Sequence, residues 1–229
     1  MTNTHENFLQ EIDSQIQAKH LLNHPFYLAW SRGELSIECL KEYAREYYHH
    51  VKAFPTYLSA IHSHTEDPKT RQALLKNLIE EEAGSPNHPE LWKNFALAIG
   101  NTEEEMAAHT PNAEVRTLIS TFRQICTQAS IEEGIAALYA YESQIPAICV
   151  SKIEGLKKHY GMHDQNSWEY FRVHIAADEE HAADERKLLN TYVKNDNRQS
   201  IREATDAVLD GLWNMLSGFC HRHNIVCTT

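Results

Sequence analysis

The stretch HIAADEEHAADERK, residues 174–187, gathers side chains that can bind metal or carry protons. At about 100° per residue, His174, Asp178 and His181 fall within roughly 60° of one another on a helix. Glu185 continues that stripe one turn further on. Neutral imidazole and ionised carboxylate are donors to transition metals, so such a stripe could hold an ion if it turns inward. Tyr170 and Phe171 upstream argue for an inward face, whereas Glu179, Glu180, Asp184, Arg186 and Lys187 suit a solvated one. H-x3-D-x2-H is a loose pattern, and taken alone a solvated helix accounts for it.

A second signal lies in AALYAYESQIPAICV. Glu142 has Ile135, Leu138, Tyr139, Ile145 and Cys149 as its helical-face neighbours, which sets a carboxylate in an apolar stripe. An unpaired buried charge costs several kcal/mol, so Glu142 must be protonated, paired with a cation such as arginine, or bound to a metal. A third signal is NLIEEEAGSPNH, where Glu81 extends the stripe of Leu74 and Leu78 while Glu80 and Glu82 are expected to face water. His88 would lie over Glu81 in an unbroken helix, but Gly84, Pro86 and Pro89 end or kink it. The kink leaves open whether His88 turns toward Glu81 or away, and a surface or capping histidine is the plainer alternative.

Together these residues make three carboxylates and three histidines on inward-looking elements, the donor set of a non-haem di-metal centre. A ferritin-like centre instead wants two Glu-x-x-His pairs. Glu46…His49 is one, with Asp178…His181 as a near match, so a centre built on Glu46 and His49 competes. The chain holds 15 histidines, which favours metal or proton chemistry without deciding it.

The elements that must position these groups read as helices. Ser36 and Asp67-Pro68 are start signals, and Thr102…Glu105, Ser130…Glu133, Asn166…Glu169 and Ser200…Glu203 fit the capping box. Stops stand at Gly84-Ser85-Pro86, Gly100-Asn101, Gly161 and residues 194–197, and no sustained two-residue alternation occurs. The periodicity predicts helices near 5–22, 37–52, 54–64, 69–83, 89–99, 103–108, 113–127, 131–159, 167–194 and 199–218. The expected organisation is a single all-α domain over 1–218, followed by a flexible tail at 219–229. Cys220, His221, His223 and Cys227 in that tail could bind adventitious metal. His49, His50, His62 and His64 are expected to be structural, in the core or behind a site.

Composition narrows the function. Hydrophobic content of 42% and charged content of 23% are those of a globular protein. A formal net charge of −11 without clustered cations argues against nucleic acid as a partner. No apolar run approaches the roughly 20 residues that span a bilayer, so membrane association is not expected. The N-terminal MTNTHENFLQ lacks the marks of an export signal, and Cys39, Cys126, Cys149, Cys220 and Cys227 are scattered. These features predict reduced thiols and a cytoplasmic protein.

The segments YLAWSRGELSIECLKEYAREYYHHVKAFPTYLSAIHS, EEEAGSPNHPELWKNFALAIG, AALYAYESQIPAI and HIAADEEHA resemble the family of the Chlamydia protein associating with death domains and its bacterial relatives. The resemblance runs from about residue 8 to 215 with the motifs in order. It implies a haem-oxygenase-like helical bundle, related in fold to thiaminase II (TenA) and to the pyrroloquinoline-quinone synthase (PqqC). It implies metal ligands at Glu81, His88, Glu142, His174, Asp178 and His181, holding Fe/Fe or Mn/Fe, with O2 and an external reductant as co-substrates. The implied product is 4-aminobenzoate, a folate precursor, made from the protein's own side chains. By match of motif, Tyr27 in HPFYLAW would be consumed, Tyr43 in KEYAREYY would be redox-active, and Lys152 in VSKIEGL would donate nitrogen. Without the resemblance, Tyr27 reads as a core aromatic beside Phe26 and Trp30, Tyr43 as part of a packing stripe with Tyr47 and Tyr48, and Lys152 as a surface lysine. A homodimer is the implied assembly, and the electron donor is not indicated. Two other readings are a metal-free thiaminase-like or quinone-synthase-like enzyme, the former using Cys39, Cys126 or Cys149, and a death-domain interaction module. No feature of the sequence marks a death-domain-binding surface.

Overall fold

The computed structural model describes residues 2–226, which form eleven α-helices and two short 3-10 turns, with no strand among them. The helices are α1 (Thr2–Ala18), α2 (Pro25–Arg32), α3 (Ile37–His64), α4 (Pro68–Glu82), α5 (His88–Ala98) and α6 (Glu103–Ala108). They continue as α7 (Ala113–Gln128), α8 (Ile131–Glu142), α9 (Ile145–His159), α10 (Glu169–Tyr192) and α11 (Arg198–Arg222). Among the described residues no helix is long and apolar enough to cross a membrane.

Burial of apolar stripes arranges these helices. Leu40, Tyr43, Ala44, Tyr47, Val51, Phe54, Leu58 and Ile61 recur every three or four residues along α3, which packs against α4, α5 and α7. On the other side, α10 packs against α8 and α9, and α11 against α7 and α8. The space between α3, α4, α8 and α10 is where carboxylates and imidazoles enter the core. Serine, asparagine and threonine caps fix several helix starts, with reciprocal capping boxes at Asn87/Glu90, Thr102/Glu105 and Ser130/Glu133.

The structure departs from the sequence expectations at five places. A helix at Pro25–Arg32 was not anticipated, although Pro25 opens it and Gly33, at φ 71°, closes it. Helix α3 runs through Pro55 unbroken, because burial of Val51, Phe54, Leu58 and Ile61 outweighs a proline penalty of about 3 kcal/mol. The expected helix 131–159 divides after Glu142, since Pro146 cannot donate to the ladder and instead occupies the first turn of α9. Buried Gln144 secures that break by donating to Ala140 O (2.7 Å) and accepting from Leu21 N (2.9 Å). The boxes expected at Asn166…Glu169 and Ser200…Glu203 do not form, as α10 begins after a 3-10 turn and α11 begins at Arg198, neither with a side-chain cap.

The fifth departure corrects the expected tail at 219–229. Helix α11 continues to Arg222, and Phe219 and Cys220 are buried in the core. Phe219 extends the stripe of Leu212, Met215 and Leu216, while Arg222 and His223 bind Glu42 on α3. Cys227, with the rest of 227–229, lies outside the described residues.

Candidate metal centre

Two groups of buried donors face each other in the core: Glu81, His88 and His174, and Glu142, Asp178 and His181. Within each group one donor atom per residue lies within 4.8 Å of the others. Residues of both groups, Glu81 and His174 from one and Glu142 and Asp178 from the other, line a single cavity of ≈10 Å³, about the room of one water. Val51, Phe54, Tyr141 and Tyr170 close it with carbon.

Local structure explains each placement. The break after Glu142 leaves its carboxylate at the C-terminal end of α8, and Asn77, one turn before Glu81 on α4, donates to both of its oxygens at 3.0 and 3.3 Å. The capping box at Asn87 makes His88 the first residue of α5, which turns its ring toward the site. His88 Nδ1 lies 3.0 Å from Glu81 Oε1, yet the two are not aligned as a hydrogen bond. Such proximity without alignment is what two ligands of one ion display. His174 donates from Nδ1 to the Tyr170 carbonyl at 2.6 Å, which leaves Nε2 for the site, 3.9 Å from Glu81. His181 donates from Nε2 to Glu80 at 3.0 Å and presents an unpartnered Nδ1 to Glu142 and Asp178, each at 3.5 Å. Glu80 therefore orients a site histidine instead of simply facing water, and Asn77 and Glu80 are groups that sequence reasoning passed over. Their signal was present, since Asn77 stands at i−4 from Glu81 on the same helix face.

The charges in this region need a counter-ion. Burial pushes the carboxyls of Glu81, Asp178 and Glu185 above their usual range, the last two well above it with Glu142 as a like-charged neighbour. Burial raises Glu142 too, but contacts from Glu185, His181 and Asn77 hold it below the ordinary value. Burial would lower His181, yet Asp178 and Glu142 lift it to about 10, while burial and the neighbouring His88 hold His174 well below its usual value. Carboxylates crowded in this way either take up protons or share cations. The oxygen and imidazole donors, the orphaned His181 Nδ1 and the absence of thiolate fit a pair of borderline transition-metal ions.

The competing Glu46…His49 centre does not assemble. Glu46 is engaged by His109 Nε2 (3.1 Å) and by Asn112 N at the start of α7 (2.9 Å), which makes it a structural brace.

A second buried cluster adjoins the centre. Lys152, only 4% exposed, is a core residue and not a surface one. It donates from Nζ to Tyr43 OH at 2.7 Å, and the Tyr43 and Tyr27 hydroxyls lie 3.2 Å apart. The ring centroids of Tyr27, Tyr43, Trp92 and Phe171 stand 5.0–5.4 Å from Nζ. Burial lowers the Lys152 amine to about 7 and pushes both phenols upward. Gly155 permits this arrangement: a Cβ there would come within 2.6 Å of the Trp30 indole, so only glycine lets α9 lie this close to α2. The two clusters are joined by rings. Tyr170 lies against His174 (centroids 4.0 Å apart) and meets Trp92 edge-on (4.8 Å), and Trp92 reaches Tyr43 at 5.8 Å.

Outside, a cleft of about 520 Å³ between α8, α9 and α10 reaches Asp178 past Pro146, Ala147, Ile175 and Ala182. A roomier groove of about 820 Å³, with Lys52, Arg116 and Arg123, shares no lining residue with the centre.

Fold and site together define a helical protein with a candidate non-haem di-metal centre in its core. The family model described as "Iron-containing redox enzyme" matches residues 41–213, and the chain belongs to that family. It is 44% identical to the 4-aminobenzoate synthase of Chlamydia pneumoniae, over 93% of this chain and 95% of that one. It is 42% identical to the 4-aminobenzoate synthase of Nitrosomonas europaea, over 99% and 96%. A TenA homologue from Pseudomonas syringae superposes with a TM-score of 0.80 at 17% identity, covering 93% of each chain. A Shewanella denitrificans domain with a heme oxygenase-like fold superposes with the same TM-score and identity over 96% of this chain and 93% of that one, which identifies the fold as haem-oxygenase-like.

Proposed function

We propose that this redox enzyme makes 4-aminobenzoate for folate synthesis, consuming its own Tyr27 side chain and taking nitrogen from Lys152. The observation that carries the proposal is the contact of Lys152 Nζ with Tyr43 OH at 2.7 Å, with Tyr27 OH 3.2 Å beyond it, all inside the core. Tyrosine already has a para-substituted ring with carbon at one end and oxygen at the other. Its conversion needs cleavage of Cα–Cβ, oxidation of the benzylic carbon to a carboxylate, and exchange of the phenolic oxygen, which leaves as water, for nitrogen. The Nζ–Cε bond of Lys152 is broken, and O2 and the reductant supply the redox balance.

Glu81, His88, Glu142, His174, Asp178 and His181 would hold the metals, Fe/Fe or Mn/Fe, which supply O2 activation with electrons from an external reductant. The chain's own groups do the rest. Tyr170 and Trp92 bridge His174 and Tyr43 by ring contact, so Tyr27 can be oxidised without touching the centre. The amine, lowered to about 7, is substantially unprotonated at neutral pH and so is nucleophilic. The aromatic wall around it excludes water that would compete for the phenolic carbon.

The thiaminase-like alternative lacks an activated thiol. Burial pushes Cys39 and Cys126 up to about 12 and raises Cys149 as well, so none is a thiolate near neutrality.

The experiment is turnover of protein labelled with ¹³C in its tyrosine rings, in unlabelled buffer with O2 and a reductant. Labelled 4-aminobenzoate is expected, together with a fall in intact mass at the peptide containing Tyr27. Unlabelled product, or labelled product with Tyr27 intact, refutes the proposal.

A further inference from the structure

Glu185 has no part in the scheme above, although it is buried at 4% exposure on the stripe that carries Asp178 and His181. Neither of its oxygens accepts a hydrogen bond. The basic residues nearby are already engaged: Lys76 with Glu180, Lys187 with Asp184, and Arg186 with Glu6 and Asp13. Leaving a carboxylate buried without donor or cation costs several kcal/mol, so either a proton or a cation must be its occupant.

Three features identify that occupant. Asp178, His181 and Glu185 lie at offsets of three and seven on one face of α10, and all three are buried. Asn77, which faces Glu185 from α4, donates to both oxygens of Glu142, a member of the second donor group. With His181 and Asn77, Glu185 also lines a small cavity between α4 and α10. Charge supplies a further argument. Glu81, Glu142 and Asp178 bring three negative charges to the two donor groups, one fewer than a pair of divalent ions requires. Glu185 brings the fourth and makes the buried assembly neutral, the state that burial favours most.

We propose that Glu185 is a further metal-binding residue of the centre, its carboxylate sharing with Glu142 the ion held by Glu142, Asp178 and His181. This deepens the reading of the site as a di-metal centre and rests on it. The rival role is a protonated Glu185 donating a hydrogen bond to Glu142, which would make it a positioning residue without charge.

Glutamine separates the two roles, because it can donate to Glu142 but carries no charge. Metal-free wild type, Glu185→Gln and Glu185→Leu are titrated anaerobically with Mn(II), with free ion followed by its EPR signal. Circular dichroism and a thermal melt of each metal-free protein check the fold. Two bound ions are expected for wild type. In both variants the first ion is expected to bind unchanged and the second about 10–100-fold more weakly. The metal-free melting temperature is expected to rise in Glu185→Leu, because an orphaned buried carboxyl is gone. Two ions at wild-type affinity in Glu185→Gln overturn the proposal and leave the di-metal reading intact. A wild type that binds no ion overturns both.

Discussion

Replacing Lys152 with methionine tests the central feature of the second cluster. Methionine keeps the length and most of the volume of the side chain but removes the amine. The ordinary lysine value is 10.5 and burial lowers it here to about 7. At about 1.4 kcal/mol per unit, that gap corresponds to about 5 kcal/mol. The unfolded chain keeps the proton up to about 10.5 and the folded chain only up to about 7, so between those values the unfolded state binds more protons. The destabilisation is therefore complete below pH 7, lifts as pH rises through the window and is gone above 10.5. Methionine escapes it while losing the hydrogen bond to Tyr43, a cost of about 1 kcal/mol. The net expectation is a variant more stable than wild type by on the order of 4 kcal/mol at pH 6. The difference should shrink steadily toward pH 10. Guanidinium unfolding of both proteins with chelator present, at half-unit steps from pH 6 to 10, gives this directly. A stability difference that does not change with pH would show that the amine is not held neutral, and would remove the basis for Lys152 as a nucleophile. Product formation should be absent in the variant at every pH, in spite of its greater stability.

Two further outcomes follow from burial. Phe219→Ala should destabilise the protein by about 3–5 kcal/mol in denaturant titration, since Phe219 is fully buried against Phe26 and Tyr43; a change under about 0.5 kcal/mol would return this segment to the surface. His50 is fully buried with neither ring nitrogen partnered, and burial lowers it to about 3. Below the ordinary histidine value of 6.5 the unfolded chain takes a proton that folded His50 refuses, so stability is lost as pH falls toward 3. His50→Leu should move the acid-unfolding midpoint to lower pH, and an unchanged midpoint would mean that His50 plays no part in acid sensitivity.

Helical period placed His174, Asp178 and His181 on one stripe that a solvated helix also explains. Glu142, a carboxylate in an apolar stripe that conflicts with its surroundings unless a cation is near, supplied the reason to turn that stripe inward. His88 was not decidable that way. Its position depends on the asparagine cap at Asn87 and the chain reversal before it, and such geometry has no period to read. Lys152 was illegible for a different reason. Nothing in VSKIEGL distinguishes a caged lysine from a solvated one, and the cage is assembled from Tyr27, Tyr43, Trp92 and Phe171, which are remote in sequence. The helix ends misjudged at Pro55, Glu142 and Gly218 share one cause. Local punctuation was weighed against packing that only the assembled bundle supplies.

Tyr27 is a core residue, 4% exposed and packed against Phe26 and Trp30. If its side chain leaves as product, the spent chain is a large-to-small core variant of itself, weaker by about 3–5 kcal/mol. That is a sizeable part of the roughly 5–15 kcal/mol available to a domain. A spent molecule of that kind populates open states more often and falls to proteases sooner than a fresh one. Product yield would then be metered by how many chains the ribosome delivers, and used copies would identify themselves for recycling by their own instability.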